Sequence, residues 1–504
     1  MASRRSRRDT GPARLSATTL GLVTAASVVT SLRGLPAMAQ EELTMFFYIG
    51  FATVLFLVPA GLVSAELGGA FANRTGGVYT WVGEAYGARF GFLAIWLQWI
   101  QNVVWFPTGL SFAAAALAYT FDDKGLANNN VWTGLFCVAA YWAATLVALT
   151  GTGLLAKVAK YGFALGTALP GLVLVALFVW WWASGQTLGW DAATDPAVTL
   201  KEDNHAHPRW APYLVELGSL SFLGTILLNF AGVESQAVHI KEMRNPSRDY
   251  PIAILIAAAL SFLIFTLGAL SVSAILPYNE MNLQSGVFTT LERAFSTLAD
   301  VQWPVYVLSL LIGYGAIGGA LAWLAGPSKG LLATAHDGAL PPFMQKTNRH
   351  GVQRNILLLQ GLIVTVISSL YLFIEDVSTV FFLISSMTIT LYIIMYLLMY
   401  ASAIRLRRTR PELPRSFRVP GGRTGMLLFA GVGFLAVAFA FIVSFIPPTQ
   451  LPVGNPLTYV LLVVSGTVVF TTLPLLIYAR RKPFWRRERS EHGSLPPRPP
   501  GPTS

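Results

Sequence analysis

Long apolar runs, separated by short polar and basic clusters, dominate the chain from end to end. A helix crosses the ~30 Å hydrocarbon core of a bilayer with about 20 mostly apolar residues. Twelve runs of that kind are predicted, near 17–38, 44–66, 90–119, 131–151, 158–183, 214–239, 251–276, 303–333, 355–374, 379–404, 425–446 and 457–479. They are numbered here as spans 1 to 12. The longest connections, about 184–213 and 277–302, are too short to hold an independent core. The pattern predicts an all-α membrane protein. A basic tail at 1–16 precedes the spans, and a polar, Pro-rich tail at 484–504, expected to be disordered, follows them.

Composition narrows the class. Of 504 residues, 54% are hydrophobic and only 12% charged, where a soluble domain runs nearer a quarter charged. A soluble enzyme, a disordered scaffold and a secreted disulfide module are all disfavoured. The single cysteine, Cys137, allows no intrachain disulfide. Net charge +11 suggests nucleic acid until the basic residues are located. Twelve spans place both termini on one face, and thirty of the 35 Lys and Arg then fall on that face. Four (Lys124, Lys201, Arg209 and Arg293) fall on the other, and Arg33 lies inside span 1. This asymmetry predicts cytoplasmic termini in an inner (plasma) membrane. It also assigns the basic tails to anionic lipid headgroups rather than nucleic acid. One rival reading takes Arg4 to Ala39, ending in Ala37-Met38-Ala39, as a cleaved signal peptide. Arg33 in its apolar region fits that reading poorly.

Ionisable groups at membrane depth are expensive and mark function. Arg33 and Glu234 stand out, each beside helix breakers: Thr30-Ser31-Leu32-Arg33-Gly34-Leu35-Pro36 in span 1 and Asn229-Phe230-Ala231-Gly232-Val233-Glu234 in span 6. A break inside lipid is tolerated only around a protein-lined or wet cavity. Spans 1 and 6 open two five-span halves, 17–183 and 214–404, and matched broken first helices point to an inverted-repeat transporter with spans 11 and 12 (425–479) appended. Freed helix N-termini suit a carboxylate and freed carbonyls suit an ammonium, so a zwitterionic amino acid matches both. The candidate substrate-binding residues are Ser31, Arg33 and Gly34 in span 1 and Phe230, Gly232 and Glu234 in span 6. Ordinary kinks are the competing reading of each break.

Span 8 carries Gly313, Gly315, Gly318 and Gly319, then Trp323. The Gly315–Gly319 spacing fits close helix packing, whereas Trp323 can gate or stack on a substrate. Lys160, opening span 5, is a proton-coupling candidate, against the plainer reading of a snorkelling interfacial lysine. His205, His207 and His239 lack metal-ligand spacing. No Walker A, HExxH or CxxC occurs, so no cofactor or metal is expected.

Several segments then carry a resemblance. They are Gly232-Val-Glu-Ser-Gln-Ala-Val-His-Ile-Lys-Glu-Met-Arg-Asn-Pro-Ser-Arg-Asp-Tyr-Pro251, Gly326-Pro-Ser-Lys-Gly330, Ala65-Glu66-Leu67 with Gly76-Gly77-Val78-Tyr79-Thr80-Trp81, and Val443-Ser-Phe-Ile-Pro-Pro448. Along nearly all the spans the chain resembles the amino acid–polyamine–organocation transporter superfamily, and more narrowly the glutamate/γ-aminobutyrate antiporters. The resemblance implies the five-plus-five inverted repeat, substrate held at the breaks of spans 1 and 6, and exchange of an outer amino acid for an inner one. By matched position, Trp323 and Tyr392 look like the aromatic residues near substrate. Two departures stand out: acid-resistance members carry an aromatic residue where this chain has Arg33, and an acidic one where it has Gly319. These exchange the local charge, so specificity does not carry over directly.

The sequence thus predicts an amino-acid antiporter working by alternating access, with spans 1, 2, 6 and 7 rocking against spans 3, 4, 8 and 9. A proton-coupled uptake symporter of the same fold is the nearest alternative; a membrane-embedded sensor or channel is the alternative from another class. An N-terminal tag is expected to stay attached and to be cytoplasmic, as read by protease protection in membrane vesicles. A mature protein beginning near Gln40 would end the twelve-span reading.

Overall fold

In the computed structural model, helices carry the fold. It describes residues 16–486 apart from 72–73, 75, 193–209, 213–216, 236–242, 244 and 449–454. The basic and Pro-rich tails, His205, His207, His239 and part of the 232–251 motif therefore lie outside the described residues, wholly or nearly so. Ten helices are long and apolar enough to cross a membrane: Glu42–Ala70 (span 2), Ala88–Thr120 (3), Asn130–Leu149 (4), Lys157–Ala183 (5), Arg248–Ile275 (7), Trp303–His336 (8), Arg354–Phe373 (9), Val377–Thr409 (10), Gly422–Val443 (11) and Pro456–Ala479 (12). Span 1 is a bent pair, Ala17–Val28 and Leu32–Ala39, turned by 49°. In span 6 the described apolar helix covers only Phe222–Ser235. That is too short to cross by itself, so the described residues give ten spans, or eleven with the bent pair, rather than the twelve expected.

Two helices were not anticipated, Val78–Tyr86 between spans 2 and 3 and Gly286–Ala299 between spans 7 and 8. Both are too short for a search by membrane-length runs to find. The first is delimited by glycines with positive φ, Gly77 at +51° and Gly87 at +94°, where other residues are strained.

Spans 3 and 10 form the centre of the bundle and span 12 its periphery: 89% of the most apolar window of each central helix is buried, against 17% in span 12. Span 3 is the least apolar of the ten. A helix surrounded by protein rather than lipid can carry polar side chains, because neighbouring chains satisfy them. Spans 5 and 8 meet backbone to backbone. A Cβ on Gly162 would sit 3.2 Å from the Gly318 Cα, and one on Gly166 would collide with Gly315. Gly315 and Gly318 therefore serve packing, as small residues do between membrane helices. Leu35, Met38 and Ala39, which a signal peptidase would remove, are buried in the core, and a Cβ on Gly268 of span 7 would meet Leu35 at 2.9 Å.

The polar contacts join loops that the charge pattern assigns to one face. At one end of the bundle Glu84 pairs with Arg74 and Arg410, and Gln345 bonds to the Trp485 carbonyl at 2.6 Å. At the other, Lys124 pairs with Glu292 and Arg293 with Glu280. Burial pushes the Glu84 carboxyl up, yet hydrogen bonds from Arg410 and Arg74 hold it below the ordinary carboxylate range. The strongest clasp is buried. Glu66, at the end of span 2, accepts from Arg407 Nη1 at 2.5 Å, from Arg415 Nε at 3.0 Å and from the Val419 amide at 2.7 Å. It locks the connection between spans 10 and 11 onto span 2.

Removing the acid of a buried cluster leaves its cations uncompensated. Glu66→Gln is expected to cost about 3 kcal/mol, lowering the thermal unfolding midpoint of the detergent-solubilised protein. Glu84→Gln, whose partners are half exposed, should cost less than about 1 kcal/mol.

Candidate functional site: the breaks of spans 1 and 6

Span 1 stops at Val28. Ser31 is extended (φ −165°, ψ 172°), a 3-10 turn follows at Leu32–Gly34, and the helix resumes at Leu35 with Pro36 in its first turn. Proline is tolerated there because first-turn amides have no helical acceptor to lose. Span 6 stops at Phe230. Ala231 is extended and Gly232 takes φ +113°, a conformation that favours glycine. The breaks interlock. A Cβ on Gly34 would collide with the Asn229 side chain, one on Gly319 would lie 2.7 Å from the Thr30 carbonyl, and one on Gly232 would lie 2.9 Å from the Trp323 ring.

The freed backbone groups find partners. The Ser27 carbonyl accepts from the Trp323 indole at 3.2 Å, and the Gly232 amide donates to the Tyr396 hydroxyl at 2.9 Å. Tyr396 in turn donates to Glu234 Oε2 at 2.5 Å, while Tyr392 and Gln98 donate to Oε1 at 2.6 and 3.1 Å. Three donors therefore engage both oxygens of Glu234, and the chain from amide to hydroxyl to carboxyl stiffens the break.

Arg33 is the opposite case. Its side chain is fully enclosed, with the residue only 4% exposed. Its guanidinium makes two long hydrogen bonds, to Thr108 Oγ1 and Asn229 Oδ1, both 3.4 Å. The rings of Trp105 and Phe381 lie 5.3 and 5.5 Å from its Cζ. Among the described residues no carboxylate lies within ion-pair distance of it, and Glu234, the ionisable group beside the other break, is bonded instead to Tyr396, Tyr392 and Gln98. A guanidinium offers five donors in a fork that fits a carboxylate. Cation–π contacts satisfy only part of that capacity.

A narrow cavity joins these groups. Thr30, Arg33, Gln101, Asn102, Trp105 and Asn229 line it, together with Trp323 and Tyr392. Its volume is about 40 Å³, room for about three waters. It is far too small to hold an amino acid as it stands.

Of the residues expected from sequence, Arg33, Trp323 and Tyr392 line the cavity. Gly34, Gly232 and Gly319 shape its walls by close approach, Glu234 braces Tyr392, and the Ser31 hydroxyl accepts the Arg33 amide at 3.4 Å. Phe230 is packed against Phe265, ring centroids 4.9 Å apart, outside the lining. Lys160 is exposed, 5.8 Å from the neighbouring Tyr161 ring, and does not reach the cavity. Sequence reading missed the span 3 residues. Gln98, Gln101, Asn102, Trp105 and Thr108 recur every three or four positions, a polar face on an otherwise apolar helix.

The amino acid permease family model matches residues 15–470. The chain belongs to the amino acid permease family. This permease is 36% identical over 448 residues to an uncharacterized transporter of Legionella pneumophila, covering 89% of this chain and 93% of that one. It is 31% identical over 455 residues to a glutamate/γ-aminobutyrate antiporter of Lactococcus lactis, covering 90% and 88%. A probable agmatine/putrescine antiporter of the same species is 24% identical over 441 residues, covering 87% and 89%. The superfamily and the broken-helix fold expected from sequence hold, and the permease is a multi-pass membrane transporter.

Gly232 generates a prediction here. Gly232→Leu is expected to cut transport by about tenfold or more, since the side chain must displace Trp323 and a left-handed residue costs about 1–2 kcal/mol. Uptake into proteoliposomes, beside a size-exclusion profile that stays monodisperse, measures it.

Proposed function

We propose that this permease exchanges amino acids by alternating access and that its cargo carries an acidic group that meets Arg33. The observation that carries this reading is the enclosed Arg33 guanidinium, which lies at the break of span 1 with no carboxylate within ion-pair distance among the described residues, while both oxygens of Glu234 are engaged by other donors. An enclosed cation without a counter-charge is costly at membrane depth. A substrate carboxylate relieves that cost through paired hydrogen bonds. Differential contact of this kind is what shifts a carrier between its states. The name of the Lactococcus antiporter, whose cargo includes an acidic amino acid, agrees with this chemistry.

Trp323 roofs the cavity from span 8, and its indole is tethered to the Ser27 carbonyl of span 1. Breaking that one bond frees it to swing aside as cargo enters. Exchange then requires only that the empty carrier reorient poorly. The cytoplasmic placement of both termini is part of the same reading, carried by the charge asymmetry of the loops.

Counterflow in proteoliposomes tests it. Internal glutamate or aspartate should drive uptake of labelled glutamate, and internal leucine should not. Arg33→Lys keeps the charge but loses the fork. It should weaken transport of dicarboxylic amino acids by about tenfold, the equivalent of about 1.4 kcal/mol, with less effect on any neutral cargo. Equal loss for every cargo would make Arg33 structural, and unchanged transport would remove it from the site.

A further inference from the structure

A second cavity lies far from the central one, at the end of the bundle where the basic loops gather. It has a volume of about 530 Å³ and lies between the end of helix Val78–Tyr86, the last turns of span 10 and the first half of span 11. Its walls are mostly apolar, with Ile404 on one side and Phe434 and Leu435 on the other. Leu435 and Phe439, one turn further along span 11, are exposed and so face lipid. Two arginines close the polar end, Arg405 and Arg408.

These arginines differ from Arg407, Arg410 and Arg415. Seven lie between 405 and 423. Arg407 and Arg415 are bound to Glu66 and Arg410 to Glu84. Among the described residues neither Arg405 nor Arg408 has a carboxylate within ion-pair distance. Spaced by three, they share one face of span 10. The Arg405 guanidinium rests 4.8 Å from the Tyr86 ring, whose hydroxyl is fastened to the Ala401 carbonyl at 3.2 Å. That stacking holds one cation at the rim with its N–H groups unused by any acid.

We propose that this cavity binds one anionic phospholipid of the cytoplasmic leaflet. Its phosphate lies between Arg405 and Arg408, and an acyl chain runs along Phe434 and Leu435. Charge complementarity selects the headgroup, since basic pockets between membrane helices on the cytoplasmic side take anionic lipid. The apolar walls select a lipid over a free anion, which has no use for them. The bound lipid tethers helix Val78–Tyr86 to spans 10 and 11.

The test uses the full-length protein in detergent, with thermal unfolding followed as lipid is added. Phosphatidylglycerol should raise the midpoint, whereas phosphatidylcholine of the same acyl chains and inorganic phosphate should not. The double variant Arg405→Gln with Arg408→Gln should weaken the phosphatidylglycerol response about thirtyfold. Arg418→Gln with Arg423→Gln, in the following connection and the start of span 11 but off the cavity, should leave it unchanged. Gly431→Trp is a second probe that keeps both arginines. A Cβ there meets nothing within 4 Å, so the ring fills the cavity without disturbing the fold and should weaken the response similarly. Equal stabilisation by phosphatidylcholine would reduce the site to a generic apolar groove, and stabilisation by phosphate alone would make it a free-anion site. Equal loss in the Arg418/Arg423 control would make it a diffuse basic surface. An undiminished response in Gly431→Trp or in the Arg405/Arg408 variant would overturn the proposal.

Discussion

A backbone amide or carbonyl that loses its helical partner within a bilayer has no water to replace it. The centre of this permease is organised around that constraint. Spans 1 and 6 both break, and two of the freed groups are met by side chains from neighbouring helices: Trp323 of span 8 at Ser27, Tyr396 of span 10 at Gly232. Glycines bring the breaks close enough for this to work. Gly34 admits Asn229, Gly319 admits Thr30 and Gly232 admits the Trp323 ring. Span 3, buried like span 10, contributes Gln98 to Glu234 and Thr108 to Arg33.

The same economy of partners sorts the charges. Glu234 and Glu66 are acids at opposite kinds of place, yet each accepts from three donors. One braces the break of span 6, and the other locks a connection between helices. Arg33 is enclosed as completely but, among the described residues, holds two long bonds and two aromatic faces. Chemistry that changes during transport belongs where bonding capacity is left over. The volume beside Arg33 is small, about 40 Å³.

Relatives named for different cargoes, glutamate/γ-aminobutyrate for one and agmatine/putrescine for another, match most of the same chain. A fold can host several cargoes when selectivity rests on a few side chains around breaks that are held in place by other means. Here the frame is backbone and glycine contact, whereas Arg33, Trp323 and the polar face of span 3 supply the chemistry of the cavity.

Apolar runs, basic loops and the breakers beside Arg33 and Glu234 were legible in the sequence, because membrane crossing, loop charge and helix breaking are local properties of a stretch of chain. Class, the order of the spans and the two breaks followed from them. The short helix Val78–Tyr86 did not, since it is not a membrane-length apolar run. Three cavity residues, Arg33, Trp323 and Tyr392, were anticipated. Lys160 and Phe230 are composed like site residues, but one faces outward and the other packs on Phe265. Which charges pair was decided only in three dimensions: Arg33 and Glu234 share the region of the breaks, yet each is bound by other helices. A charge's worth depends on what stands within about 4 Å of it, and only tertiary packing sets that.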